Sequence, residues 1–201
     1  MEFVKEFSTF LYQKGVIKFG DFTLASGKKS SYYVDLRLVP SYPHQFRSMI
    51  KHLQNNIIDN TGLDRFDSLV SVPTGGLIIA SALAIETVKP LIYVRSKPKD
   101  YGTSKSVEGQ ITKGMKVVMI DDVATTGGSV VNAIKSLRES DIVIEDAYVI
   151  VNRMEGAEET LKELGVKMHS LVNIIQITQA LHEQKLVSDD ILEKVRKQIE
   201  K

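Results

Sequence analysis

The feature that most limits what this chain can fold into is an alternation that starts near residue 68. Short apolar runs rich in β-branched residues ("SLVSV", "LIYV", "KVVMI", "DAYVIV", "MHSLV") take turns with segments such as "GLIIASALAIETV" and "SVVNAIKSLRES". Unbroken apolar runs suit strands buried on both faces. The intervening segments carry apolar residues at helical spacing. Strands separated by helices give an α/β fold, with a central, mostly parallel sheet flanked by helices.

The flanks read differently. Phe3, Val4, Phe7, Phe10 and Leu11 predict an N-terminal helix that Gly15 can stop. Two extended runs follow, "IKFGDFTL" and "SYYVDLR", separated by the turn-rich "ASGKKS". Pro40 precedes a predicted helix from Ser41 to Ile58, and Ser188 is the expected N-cap of a terminal helix. With 201 residues, no repeat and no low-complexity tract, residues 1–201 are expected to form a single domain.

Composition removes several classes of function. The net charge is +1, so there is no basic footprint for sequence-independent nucleic-acid binding. Cysteine is absent, which excludes disulfides, thiolate catalysis and cysteine metal sites. His44, His52, His169 and His182 lack metal-ligand spacing and are expected at the surface or partly buried. The N-terminus is charged and amphipathic, unlike a signal peptide, and no apolar run approaches the ~20 residues of a membrane span. A cytoplasmic protein with no membrane and no nucleic-acid partner is expected.

The chemistry sits in "VVMIDDVATTGGSV", Val117–Val130. In an open parallel sheet, ligands bind beyond the carboxyl ends of the strands. Asp121 and Asp122 are expected at that edge, followed by a loop, Ala124–Ser129, that opens a helix near Ser129. Small residues let backbone N–H groups approach a ligand, the hydroxyls of Thr125, Thr126 and Ser129 add donors, and a helix N-terminus favours an anion. The loop therefore reads as a phosphate cradle. Two carboxylates cannot serve that phosphate, so they need sugar hydroxyls or a cation. A ribose 5-phosphate meets both demands. An Asp-Asp pair alone would only cap a helix or open a turn; the unbroken order of strand, acids and loop argues for the ligand. Other phosphate motifs fail, since "ASGKKS" lacks the Walker pattern and no G-x-G-x-x-G opens a helix.

One segment breaks the alternation. "RSKPKDYGTSKSVEGQITK", residues 95–113, is polar, lysine-rich and long for a compact α/β domain. On composition alone it reads as a solvated surface loop.

These residues carry a resemblance. "VVMIDDVATTGGS" closely resembles the phosphoribosyl-diphosphate (PRPP) motif of type I phosphoribosyltransferases. "FTLASGKKSSYYVDLR", "VRSKPKDYGTSKSVEG" and "VNRMEGAEETL" are similar to the substrate segment, mobile catalytic loop and orotate-contacting segment of the orotate phosphoribosyltransferase family. The resemblance covers nearly the whole chain in the expected order. It implies the type I phosphoribosyltransferase fold, with a small N-terminal hood (1–40) and a flexible catalytic loop (95–113). It also implies the conversion of orotate and PRPP to orotidine 5′-monophosphate and pyrophosphate, a step of pyrimidine biosynthesis.

Carried over by position, Asp121 and Asp122 would hold the ribose hydroxyls, with Val123 and Ala124 leading to Thr125, Thr126, Gly127, Gly128 and Ser129 around the 5-phosphate. "SVPTGG", Ser71–Gly76, would be the pyrophosphate loop, contributing Pro73, Thr74 and Gly75. Arg95, Lys99 and Tyr101 would meet pyrophosphate from the loop, with Arg95 and Lys99 catalytic beside the two acids. Tyr32, Tyr33, Thr125 and Arg153 would frame orotate. Mg²⁺ is expected through PRPP and water, with no protein ligands of its own. A homodimer is expected, the loop reaching the neighbouring subunit's site. In this setting the 95–113 loop becomes a lid that excludes water from an electrophilic ribose carbon.

The chain departs from the family's frequent pattern at several points. Ala25 and Ser96 stand where lysine is frequent, Tyr101 where histidine is, Asn152 where aspartate is, and Gly75 at a position that is lysine or glycine. Lys28, Lys29, Lys97 and Lys105 lie nearby in sequence as compensating cations. Two alternatives share the opening motif. A purine phosphoribosyltransferase would not need "SGKKSSYYVDLR" or Arg153. A PRPP-sensing regulator would usually add an N-terminal DNA-binding helical domain, whereas here one helix leads directly into the substrate segment.

Overall fold

The computed structural model describes residues 2–23, 27–95 and 106–200. Expectations resting on Ala25, Ser96, Lys97, Lys99, Tyr101 and Lys105 lie outside the described residues. The chain divides into two compact units, one formed by residues up to Met49 with those from Val172 onward, the other by Ile50–Leu171.

In the first unit, helix α1 (Glu2–Gln13) turns Phe7, Phe10 and Leu11 inward, and Phe7 stacks on Phe3 at 5.1 Å between ring centroids. Strands β1 (Ile17–Thr23) and β2 (Lys29–Val34) pair antiparallel, as the two extended runs predict. A 3₁₀ turn over Leu36–Ser41 then delays helix α2, which runs Pro43–Asn60 rather than from Ser41. A proline in the first helical turn costs no hydrogen bond, since its missing N–H would have had no intrahelical partner. The boundary between the units falls within α2.

The second unit is built on a sheet of order β5-β4-β3-β6-β7-β8. Its strands are β3 (Ser68–Ser71), β4 (Leu91–Val94), β5 (Val107–Glu108), β6 (Lys116–Ala124), β7 (Val143–Asn152) and β8 (Lys167–Asn173). β4, β3, β6 and β7 are mutually parallel neighbours, while β5 joins β4 antiparallel. Helices α3 (Gly75–Thr87), α4 (Gly128–Glu139) and α5 (Ala157–Glu163) connect them. Val117, Val118, Met119 and Ile120 on β6 are all buried, so both faces of the strand are covered. Each such side chain contributes roughly 1.5–3 kcal/mol of burial. Val117 and Met119 join one apolar cluster with Val130, Ile134 and Leu137 of α4.

Helix α6 (Ile174–Glu183) follows β8 directly and opens on a capping box between Asn173 and Gln176, a start that the sequence reading passed over, as it did α5. Helix α7 (Asp189–Ile199) begins after Ser188 as expected, but the Ser188 side chain makes no capping hydrogen bond. His169, expected at the surface or partly buried, is buried: its Nε2 lies 2.8 Å from Asp146 Oδ1, and its ring stacks on Tyr148. Among the described residues no helix is long and apolar enough to cross a membrane.

Candidate active site

The connections out of β3 and β6 diverge. β3 passes through α3 to β4 on one side, and β6 passes through α4 to β7 on the other. Because β3 and β6 are neighbours, their C-terminal ends meet at the topological switch point, where α/β sheets bind ligands. β3 stops at Ser71, opposite Ile120, while β6 continues alongside β7 through Asp121, Asp122 and Val123 to Ala124. The acids, expected at the strand's carboxyl edge, are thus held inside a strand that outruns its neighbour and ends only at Ala124, where the expected loop begins. The register with β7, Asp121↔Val149 and Val123↔Val151, fixes their positions.

The other wall is the segment Val72–Thr74 and the first turn of α3. Ser71 donates its hydroxyl to Ile120 C=O at 2.7 Å, tying the loop's root to β6. The Pro73–Thr74 peptide bond is cis. Gly75 and Gly76 lie directly against the carboxylates. A Cβ on Gly75 would fall 1.9 Å from Asp122 Oδ2, and one on Gly76 would fall 2.6 Å from Asp121 Oδ1 and 2.8 Å from Ser71 Oγ. Only glycine fits at these two positions while the acids stay where they are.

The two acids differ in environment. Asp121 is buried and its Oδ1 accepts the Asp122 N–H at 2.9 Å; Asp122 is half-buried and its Oδ1 accepts the Val123 N–H at 2.9 Å. Burial, reinforced by the neighbouring Asp122 carboxylate, pushes the Asp121 carboxyl up to about 8. Hydrogen-bond donors supplied by a ligand would favour its charged form and lower it again.

Beyond Ala124 the chain turns through Thr125 and Thr126 to Gly127, whose φ of +83° starts α4. Gly127 is also packed tightly, since a Cβ there would meet Leu161 Cδ1 at 2.9 Å. The Val131 N–H bonds to Gly127 C=O at 2.8 Å, so the N–H groups of Gly128, Ser129 and Val130 are the helix's unpaired first-turn donors. Gly128 and Ser129 are exposed. The β7–α5 segment braces this loop, with the Ala157 N–H on Thr125 C=O at 3.2 Å and the Arg153 N–H on Ala124 C=O at 2.9 Å.

Arg95 follows β4 at the same sheet edge and pairs with Glu108 of β5 at 2.8 Å, a partner the sequence did not reveal. Arg153 follows β7 and is buried, with its Nη2 2.8 Å and its Nε 3.1 Å from Glu155 Oε1. The pair with Glu155 gives this cation a structural use of its own. Asn152 Oδ1 accepts the Met154 N–H at 2.7 Å, a bond that aspartate could equally make, so that departure preserves the turn.

Tyr32 and Tyr33 belong to the first unit, and Arg153 to the second. Adjacent strand residues face opposite ways, and the two tyrosines obey this rule. The Tyr32 ring is wholly buried; Tyr33 is exposed and packs on Phe22 at 5.8 Å. Of the two tyrosines, Tyr33 is the one that offers its ring to solvent. Among the described residues no cluster of three or more His, Cys, Asp or Glu side chains could hold a metal.

Comparison with known proteins agrees with this geometry. Residues 44–182 match the family described as "Phosphoribosyl transferase domain". The chain is 51% identical to the orotate phosphoribosyltransferase of Cenarchaeum symbiosum, over 97% of this chain and 98% of that one. It is 42% identical to that of Methanocaldococcus jannaschii, over 84% and 94%. The crystal structure of orotate phosphoribosyltransferase from Aeropyrum pernix superposes with a TM-score of 0.78 at 35% identity, covering 90% of this chain and 99% of that one.

Proposed function

The chain belongs to the orotate phosphoribosyltransferase family, and from that premise we propose that it transfers the phosphoribosyl group of PRPP to orotate, giving orotidine 5′-monophosphate and pyrophosphate in pyrimidine biosynthesis. The observation that carries the reading for the site is the packing of Gly75 and Gly76 against Asp122 and Asp121. It brings the segment assigned to pyrophosphate next to the acids assigned to ribose, as a ligand with both groups on one sugar requires.

In this reading Asp121 and Asp122 accept hydrogen bonds from the ribose hydroxyls. Thr125, Thr126, Gly127, Gly128 and Ser129 receive the 5-phosphate on the first turn of α4. Pro73, Thr74 and Gly75 line the pyrophosphate end, with Arg95 at the neighbouring strand's end and Lys99 and Tyr101 assigned by resemblance. Positive charge develops on the reacting ribose carbon as the bond to pyrophosphate breaks, so donors aimed at the leaving group supply much of the catalysis. Arg153 and Tyr33 are assigned to orotate, whose carboxylate suits a guanidinium fork.

The donor set fits a metal carried in by the substrate. Two neighbouring carboxylates, each already accepting a backbone N–H, fall short of the six oxygens that Mg²⁺ requires. PRPP and water would complete the shell. Bound in this way, Mg²⁺ would offset charge on the pyrophosphate. We also read the protein as a cytoplasmic homodimer. Ile85 on α3 and Val88, its C-cap, 80% and 89% exposed, support an association surface.

The test is incubation of the purified protein with PRPP and Mg²⁺ plus orotate, hypoxanthine, adenine or uracil in separate reactions. Orotate alone should be consumed. Turnover of a purine or of uracil, with none of orotate, would overturn this reading.

A further inference from the structure

A side chain three residues from the C-terminus holds the middle of β2. Gln198 of α7 accepts the Ser31 N–H at 2.7 Å and the Ser31 hydroxyl at 2.8 Å through its Oε1. Its Nε2 donates to Ser30 Oγ at 3.1 Å, and the Ser30 hydroxyl in turn donates to Tyr32 C=O at 2.7 Å. These bonds fall where the hairpin's own ladder is interrupted. The β1–β2 register passes from Phe19↔Tyr32 to Phe22↔Ser30, with no partner opposite Ser31. The Gln198 amide occupies the gap and does for Ser31 what a backbone group of β1 does for its neighbours. Leu192 and Val195, buried on the same helix, anchor α7 independently of this bond. The next residue with an exposed ring is Tyr33, two positions along the strand from Ser31, so any slackening of β2 at Ser31 is transmitted to it.

We propose that Gln198 is a positioning residue for the orotate end of the site: its carboxamide completes β2 at the register break and thereby fixes Ser31–Tyr33. The inference rests on the reading of this segment as the orotate-contacting one. It does not place Gln198 in contact with substrate. It gives the C-terminal helix a catalytic consequence beyond packing.

The test compares Gln198→Leu, which removes all three bonds at similar volume, with Gln198→Glu, whose carboxylate can still accept from the Ser31 N–H and hydroxyl. Both are assayed beside wild type, with KM for orotate, KM for PRPP, and amide exchange at Ser31 as readouts. Losing neutral hydrogen bonds that position a substrate group should raise the orotate KM about five- to tenfold in Gln198→Leu. The PRPP KM should stay within about twofold, since the groups assigned to PRPP lie in the other unit. Ser31 exchange should accelerate, and Gln198→Glu should recover most of the orotate KM. Ser31→Ala, which removes one of the bonds from the strand side, should move the orotate KM the same way by less, and it serves if Gln198→Leu does not fold. An unmoved orotate KM in these variants, or equal rises in both constants, would overturn the inference while leaving the functional reading intact. Absence of orotate turnover in wild type would overturn both.

Discussion

Asp121 carries a cost in the ligand-free protein. A carboxyl raised from its ordinary value of 3.8 to about 8 binds its proton more tightly when folded than when unfolded. Folding stability therefore falls as pH rises between those values, and the cost is absent below the lower one. A shift of that size corresponds to a few kcal/mol. We predict that Asp121→Asn, which keeps an acceptor for the Asp122 N–H, unfolds at a higher temperature than wild type at pH 8 and differs little from it at pH 4, while losing activity. Equal differences at the two pH values, measured by thermal unfolding, would show that Asp121 is ionised throughout. Arg153 makes a second case at this scale. Arg153→Lys keeps the charge but cannot reproduce the two nitrogen contacts to Glu155 or a bidentate grip on a carboxylate. The orotate KM should rise at least about tenfold more than the PRPP KM. Parallel changes in the two constants would mean that Arg153 acts only through its structural pair with Glu155.

At the scale of elements, the site depends on α3 meeting β6 without a side chain between them. Gly75→Ala forces a Cβ into the position of the Asp122 carboxylate. Either the carboxylate rotates away from the sugar site or α3 shifts. We predict a fall of about ten- to a hundredfold in kcat/KM for PRPP, the loss expected when a charge-assisted hydrogen bond is displaced. Kinetics unchanged from wild type would mean that the loop yields and the close packing is incidental. How legible these contacts were differs by element. Strands β3, β4 and β6 and helices α3 and α4 follow from apolar patterning, because a doubly covered sheet writes its burial into consecutive residues. The two acids were legible for the same reason, since they interrupt such a run. The Arg95–Glu108 pair was not, because β5 has only two residues inside a polar stretch and its antiparallel register leaves no periodic trace. Glu155 was hidden because it reaches Arg153 only through a turn in which Met154 takes φ +58° and Asn152 supplies the bracing bond. The Gln198–Ser31 bonds join positions 167 apart in sequence, and no local pattern encodes such a contact.

At the scale of the whole molecule, we propose, on the family resemblance, that in a homodimer the 95–113 loop serves the neighbouring subunit, so that each active site is the product of two chains. Lys99→Ala and Asp122→Asn, each strongly impaired alone, should complement when subunits exchange, because a mixed dimer concentrates both lesions in one site. Random exchange of equal amounts makes about half the dimers mixed, so about a quarter of wild-type activity should return. Confirmed exchange, shown by differential tags, with no recovered activity would mean that the loop closes over its own chain.

The central claim is that the end of β6 and the first turn of α3 form one cradle for PRPP, in which Asp122 serves the ligand and not the core. The most direct measurement is the steady-state kinetics of Asp122→Asn with PRPP as the varied substrate, taken beside its thermal unfolding midpoint. Asp122 is half-buried with its Oδ1 on a local backbone N–H, a bond that asparagine retains. The account predicts a fall in kcat/KM for PRPP of about ten- to a hundredfold, corresponding to roughly 1.5–3 kcal/mol of lost charge-assisted hydrogen bonding, with the midpoint nearly unchanged. Near-normal PRPP kinetics in a stably folded Asp122→Asn protein would contradict it.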